Sequence, residues 1–446
     1  MTQQDWKARD IQHLWHPYTD IEQFEQSAVY MLIERAEGVY LYEQGGRRLL
    51  DGIASWWCVN LGHSHPRLVQ AIQRQAAQLQ HCILGGMSHQ PAIELAERLA
   101  QLAPGELNHV FFCSDGCSAV EAALKIAAQY WDNIGESGRN AFVCLTDGYH
   151  GDTLGAVSVG FVDAFHRPFK QIVLQNHRAL SPHCNQCPMG KVPETCGVEC
   201  FQSMENLIRE HHERIVAVIL EPLCQGAAGM RIYPDEYLRQ ARRLCDEYNL
   251  PLICDEIAVG FGRTGSLFAS NHAGIEPDII TVGKGLTGGY MPLSATIVRT
   301  KIYDSFRNAL DQPAGQNRTF FHGHTFTGNP ITCACALAAL DVYRETGVIE
   351  RLAPRIAQLE QGFAAIAQKL PGSKTRCLGM IGMVEIFPES QGAARARRIV
   401  QAAYERGLFI RPLGNVLYLW PPLISTEQEL AQMIEILLDS IESCDS

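Results

Sequence analysis

The chain has 446 residues, with 37 Lys and Arg against 48 Asp and Glu, giving a formal net charge of -11. An acid excess of that size disfavours non-specific binding to nucleic acid or to an anionic membrane, so neither is an expected partner. No apolar run approaches bilayer-spanning length, and the start MTQQDWKARDIQHLW lacks the basic-then-apolar pattern of a signal peptide, which predicts a cytoplasmic protein. The length allows a sizeable core and about two domains. Most of the 16 cysteines stand singly in apolar runs, as do Cys113, Cys144, Cys254 and Cys333, and read as reduced thiols packed like small hydrophobes.

In chain order, short apolar runs predict buried strands at HVFFC (109–113), AFVCLT (141–146), VAVILE (216–221), PLICDE (251–256) and IITVG (279–283), with helical patterns between them. Such alternation predicts an α/β chain whose sheet is mainly parallel and covered on both faces. After the first run, CSDGCSAVEAALKIAAQYW (113–131) puts a polar turn ahead of an amphipathic helix. The backbone N–H groups of Gly116 and Cys117 are therefore candidate anion donors, with plain capping by Ser114 or Asp115 as the alternative. DGYHGDT (147–153) carries Tyr149, a ring for stacking on a flat ligand or a surface-packing residue. In the loop-like insertion SPHCNQCPMGKVPETCGVEC (181–200), Cys184, Cys187, Cys196 and Cys200 follow the spacing C-x2-C-x8-C-x3-C. That spacing suits zinc or an iron–sulfur centre; free thiols are the alternative, and no metal is expected in the catalytic site.

Ligands on open parallel sheets bind beyond the carboxyl ends of strands, where Glu221, Asp255 and Lys284 all fall. Lys284 lies between Gly283 and Gly285, beside apolar residues. Desolvation there favours the neutral, nucleophilic amine, and the glycines leave room for close approach by a carbonyl compound. The alternatives are that Asp255 caps a turn and Lys284 lies in solvent. Past Pro330, the alanine-rich ITCACALAALDVYRE predicts a helix, followed by helix and strand patterns that end in RPLGNVLYLWPP.

Three segments, DEIAVGFGRTG, PDIITVGKGLTGG and HGHTFTGNP (322–330), resemble class III aminotransferases, pyridoxal phosphate enzymes of fold type I, and the likeness runs nearly the whole chain. It implies a large cofactor-binding domain over 76–330 with a mainly parallel, seven-stranded-type sheet. A small α+β domain is expected from both chain ends, 1–75 and 331–446, the first of which also borders the active-site entrance. The resemblance makes Lys284, Asp255 and Tyr149 catalytic. It implies pyridoxal 5′-phosphate joined covalently to Lys284, with Asp255 at the pyridine nitrogen, Tyr149 on the ring face, and Gly116 and Cys117 at the phosphate. Thr325 is expected at the phosphate of the neighbouring subunit, which makes the protein a homodimer with shared active sites. Relatives usually carry Ser or Thr where Cys117 stands, so one side-chain bond to phosphate is in question and more weight falls on Thr325.

HLWHPYT (13–19), DGIASWWCVNLGHSHP (51–66), Ala258 in DEIA, EPLCQGAAGMRIY (221–233) and IRPLGNVLYLWPP (410–422) narrow the resemblance to the members of biotin synthesis. These aminate 8-amino-7-oxononanoate to 7,8-diaminononanoate in two half-reactions of ping-pong order. S-adenosylmethionine is the expected donor. Lysine is the alternative, because His324 stands where some adenosylmethionine users have proline; an ornithine- or 4-aminobutyrate-type ω-aminotransferase is the broader alternative. A long methylene chain with a terminal carboxylate calls for an apolar tube with a cation at its far end. Tyr18 and Trp56 are the expected walls, Gly323 a further substrate contact, and Arg411 the carboxylate anchor rather than half of a surface ion pair. Arg263 stands between two roles, a structural clamp or a contact to the donor carboxylate. Trp57 is expected in the core, on the opposite face of a strand from Trp56.

Overall fold

Seven strands pair into one sheet: β1 (Leu107–Cys113), β2 (Ala141–Leu145), β3 (His177–Ala179), β4 (Ile215–Leu220), β5 (Leu252–Asp255), β6 (Ile279–Val282) and β7 (Ser294–Arg299). These come from a computed structural model that describes residues 2–27, 29–192, 195–308 and 317–444. The spatial order is β1-β7-β6-β5-β4-β2-β3, and only β7 runs against its neighbours. The five expected strands all form, and β4 and β5 are buried along their whole length, as a sheet covered on both faces requires.

The sequence pattern did not announce β3 or β7. The first has only three residues. The second, SATIVR, alternates hydroxyl and apolar residues but is buried, because its hydroxyls find carbonyl partners on the helix packed against it. Ser294 donates to the carbonyl of Asp115 at 2.5 Å and Thr296 to that of Ala119 at 2.7 Å. A buried polar side chain with a partner costs little. The same helix, Gly116–Asn133, buries Trp131, whose indole N–H donates to the Val216 carbonyl at 2.8 Å.

Both chain ends meet in a second sheet, where Leu408–Phe409 runs parallel to Arg48–Asp51 beside Tyr40–Glu43 and Ile33–Glu37. A third sheet joins Lys374–Leu378, Ile381–Glu385 and Val416–Leu419. The expected alanine-rich helix spans Pro330–Thr346. The Asn329 side chain caps its start and Gly347, at φ +57°, ends it. Among the described residues no helix is long and apolar enough to cross a membrane.

Trp56 and Trp57 are not on a strand. Ala54, Ser55, Trp56 and Trp57 all have positive φ, between 44° and 78°, in a short turn without glycine. Left-handed residues cost roughly 1–2 kcal/mol each and persist only where neighbours over-determine them. The buried Asp51 carboxylate does this, accepting hydrogen bonds from the Ser55 N–H at 2.9 Å, the Ser55 hydroxyl at 2.6 Å and His63 Nε2 at 2.9 Å. The consequence is that both indoles reach the cavities described next, with Trp57 stacked on Trp420 (centroids 5.1 Å apart) and Trp56 39% exposed.

Candidate active site

Two adjoining cavities, of about 180 and 630 Å³, open at the carboxyl ends of the parallel strands and share Trp57, Tyr149 and Lys284. Their position follows from the sheet, since the segments that leave β2, β4, β5 and β6 supply Tyr149, Glu221, Asp255 and Lys284.

The smaller cavity gathers Gly116, Cys117, Tyr149, Asp255 and Lys284, five residues singled out from the sequence. At one end is the start of the helix Gly116–Asn133. Asp115 caps it, its carboxylate accepting from the Ser118 N–H at 2.9 Å and its carbonyl from the Ala119 N–H at 3.1 Å. The amides of Gly116 and Cys117 stand ahead of any intrahelical partner, so capping and anion binding are compatible here. Cys117 turns its sulfur aside to accept from the Asp152 N–H at 3.4 Å. Gly151, at φ +119°, faces that sulfur, and a Cβ there would sit 2.3 Å from it, so position 151 needs glycine on two counts.

At the other end the Asp255 carboxylate is 5% exposed and fully engaged. His150 Nδ1 lies 2.7 Å from Oδ2, while Oδ1 accepts from the Thr281 hydroxyl at 3.0 Å and the Ile257 N–H at 3.1 Å. His150 is a partner the sequence reading missed, although it adjoins Tyr149. Glu221 holds the segment from behind, accepting from the Tyr149 N–H at 2.9 Å and the Gly226 N–H at 3.0 Å, and burial pushes its carboxyl up to about 7.

Lys284 sits at φ +40°, and its Nζ lies 5.5 Å from the Trp57 ring centre. Burial lowers its pKa against the opposing pull of Asp255 and Glu221. A lowered value means that the neutral amine prevails at a lower pH. In cofactor-free protein, the rate at which Lys284 condenses with an aldehyde is therefore expected to reach its plateau below the ordinary lysine value of 10.5. Borohydride trapping across pH measures it, and a rising limb centred at or above that value contradicts the geometry.

The larger cavity brings together Tyr18, Trp56 and Arg411 with Lys284. Tyr18 meets Trp56 edge-on at 5.5 Å, and the Arg411 guanidinium lies 4.9 Å from the Trp56 ring centre. Arg411 donates to the Tyr18 carbonyl at 3.2 Å and makes no ion pair among the described residues, so the surface-pair alternative does not hold. Asp152, not foreseen from the sequence, ties two of the lining side chains together. It accepts from the Tyr18 hydroxyl at 2.6 Å and the Tyr149 hydroxyl at 2.9 Å. Burial works against its charge, yet hydrogen bonds from His166, Tyr18 and Tyr149 hold it below the usual carboxylate range.

Three of the expected substrate or cofactor residues lie elsewhere in the chain. Arg263 is a clamp and not a cavity residue: it is fully buried, donating to the carbonyls of Met380 at 3.0 Å and Pro421 at 2.8 Å and to Asn60 Oδ1 at 2.8 Å. Its side chain is spent on joining the turn after β5 to the C-terminal strands, so it does not reach a donor carboxylate. Burial pushes the guanidinium down to about 9. Arg263→Ala would strand three buried acceptors, and a loss of roughly 3 kcal/mol or more is expected in denaturant unfolding. An unchanged midpoint would count against the clamp. Gly323 and Thr325 lie on an exposed segment that borders neither cavity.

Sheet order, cavity position and a desolvated lysine lining the same cavity as a buried aspartate define a cofactor-dependent transaminase. The class III aminotransferase family matches residues 22–441, and the chain belongs to it, as a pyridoxal-phosphate-dependent transaminase of fold type I. It is similar to the adenosylmethionine-8-amino-7-oxononanoate aminotransferase of Geobacter sulfurreducens, 39% identical over 99% of this chain and 96% of that one. The enzyme of the same name from Methanocaldococcus jannaschii is 36% identical over 98% of this chain and 97% of its own. Its crystal structure superposes with a TM-score of 0.92 at 35% identity, covering 100% of both chains. An (S)-enantioselective omega-transaminase from Thermomicrobium roseum superposes equally, with a TM-score of 0.92 at 31% identity, covering 100% and 99%.

Proposed function

We propose that the chain aminates 8-amino-7-oxononanoate to 7,8-diaminononanoate, with S-adenosylmethionine as donor, as a cytoplasmic homodimer in biotin synthesis. The observation that carries this reading is the line Lys284, Trp56, Tyr18, Arg411 around one 630 Å³ cavity, which suits a long apolar chain ending in a carboxylate. The relatives named for this reaction match over nearly the whole length. Residues 76–330 form the large domain in this reading, and 1–75 with 331–446 the small one.

The smaller cavity fits pyridoxal 5′-phosphate by the chemistry of its donors: two unpaired amides at a helix start, a buried carboxylate held by His150, an aromatic ring and a desolvated lysine. When bound, that group supplies an aldehyde and an electron-withdrawing ring. Gly116 and Cys117 would hold its phosphate, and Thr325 would reach the phosphate in the partner subunit. Asp255 would hold a proton on its pyridine nitrogen, and Tyr149 would pack against its ring. Lys284 would hold the group covalently through its amine, and the same amine, when free, would be the base that moves a proton at the reacting carbon. Trp57 shields that amine, while Tyr18 walls the larger cavity and Arg411 fixes the carboxylate.

Incubation of the protein with 8-amino-7-oxononanoate and S-adenosylmethionine should yield 7,8-diaminononanoate. Formation of the product only with lysine would reassign the donor, and no product with either would refute the substrate. Arg411→Ala is expected to raise the KM for the keto acid about ten- to hundredfold, the worth of a hydrogen bond to a charged group, with little change for an amine lacking a carboxylate. An equal loss for both substrates contradicts the anchor.

A further inference from the structure

Among the described residues the four cysteines of the loop 181–200 do not gather into a metal-holding group. A tighter assembly of polar side chains stands around Asp152, whose partners Tyr18 and Tyr149 line the larger cavity. One member of it, His166, lines neither cavity. It is 2% exposed and ends the short helix Asp163–His166, next to Phe165, which does line the larger one.

The ring of His166 is fixed in both place and tautomer. The Val162 N–H donates to Nδ1 at 3.1 Å. Val162 stands immediately ahead of the helix, where an amide has no intrahelical partner, and the ring nitrogen satisfies it. Because a backbone amide only donates, Nδ1 accepts and the ring proton lies on Nε2. Nε2 is 3.3 Å from Asp152 Oδ1, so the imidazole donates to the carboxylate. The Tyr149 ring lies nearly parallel to the imidazole, 9° off with centroids 5.9 Å apart, and Phe161 and Phe165 meet it at 5.8 and 6.1 Å. Buried and packed on these sides, the donor cannot swing away.

Asp152 has no such restraint of its own. Its side chain is half exposed, and of the three side chains that donate to it only His166 is buried. Tyr18 and Tyr149 spend their hydroxyl protons on it, at 2.6 and 2.9 Å, while their own oxygens stand 3.2 Å apart. The run of bonds continues to the carboxylate anchor, since the Tyr18 carbonyl accepts from Arg411. A carboxylate turned toward water would release both hydroxyls and, with Tyr18, the seat of Arg411.

We propose that His166 is a positioning residue for transamination: its Nε2–H holds the Asp152 carboxylate toward Tyr18 and Tyr149, and so fixes the substrate wall at Tyr18 relative to the ring of Tyr149. This rests on the function proposed above, which puts the keto acid against Tyr18 and the cofactor against Tyr149. His166 keeps its proton throughout and touches no reacting atom. Its part is to leave Asp152 a single orientation.

The test compares His166→Phe, which keeps a ring beside Tyr149 but donates nothing, with His166→Gln, whose amide nitrogen can donate from near the place of Nε2. In the holoenzyme, His166→Phe should lower kcat/KM for 8-amino-7-oxononanoate about ten- to hundredfold, the worth of a hydrogen bond to a charged group, and His166→Gln should recover most of it. Added to Asp152→Ala, His166→Phe should change little, because its effect runs through that carboxylate. Chymotryptic cleavage after Tyr18 needs neither substrate nor cofactor, and should run about tenfold faster in His166→Phe and in Asp152→Ala than in the parent. A parent that does not aminate the keto acid refutes the proposed function, and the cleavage rates then decide the role of His166. That role falls if His166→Phe or Asp152→Ala is cleaved at the parent rate, if His166→Gln is as impaired as His166→Phe, or if His166→Phe costs as much without Asp152 as with it. If His166→Phe does not fold, the other two variants decide: His166→Gln should be cleaved at the parent rate, and a rate matching Asp152→Ala overturns the role.

Discussion

Lys284→Ala is expected to lower turnover by about 10⁴-fold or more while leaving the fold intact, because the proposed mechanism gives one side chain both covalent attachment and proton transfer. The geometry makes substitution by another group implausible. Lys284 is the lysine that lines the two cavities, its amine is desolvated, and its backbone is fixed in a left-handed turn between glycines. The variant should also lose the visible absorbance of a lysine-bound cofactor, yet still bind phosphate-bearing analogues through Gly116 and Cys117. Turnover close to that of the parent would remove Lys284 from the chemistry. Loss of helical signal in circular dichroism would instead mark a folding defect.

Asp255→Asn is the second large effect, with kcat expected to fall about 10²–10³-fold, the usual scale for removing one preorganised electrostatic group. The amide has nearly the same shape, so the bond from Thr281 and much of the packing survive. The charge does not. In the proposed mechanism nothing would then hold a proton on the pyridine nitrogen, and His150, 3% exposed and 2.7 Å from the present carboxylate, loses its charged partner. Both half-reactions should slow alike, since both depend on the same ring. Stopped-flow measurement of each separates this from a binding effect, and a loss confined to KM would assign Asp255 to affinity alone.

The parts of this site legible in the sequence are those set by local pattern. Apolar runs placed β4, β5 and β6, and the residues just past their ends had to lie together once the sheet was parallel. A helix start after a polar turn likewise marked Gly116 and Cys117. What stayed hidden depends on contacts distant in the chain. The left-handed turn at Trp56 is an exception: its brace, Asp51 with His63, is close in the chain, but no glycine or turn pattern marks it. The strand Ser294–Arg299 was concealed by hydroxyls whose partners lie almost 180 residues away, |i−j| being 179 and 177. Arg263 has a motif that fits a ligand contact or a clamp, and only its three buried acceptors decide between them. His150 stood in plain view beside Tyr149, but its bond to Asp255 spans 105 positions.

The most direct test is to reduce the purified protein with borohydride, digest it and locate the pyridoxyl mass. One adduct per chain on the peptide bearing Lys284 is the predicted result. An adduct on any other lysine, or none in protein that is otherwise yellow and active, would contradict the assignment on which the rest is built.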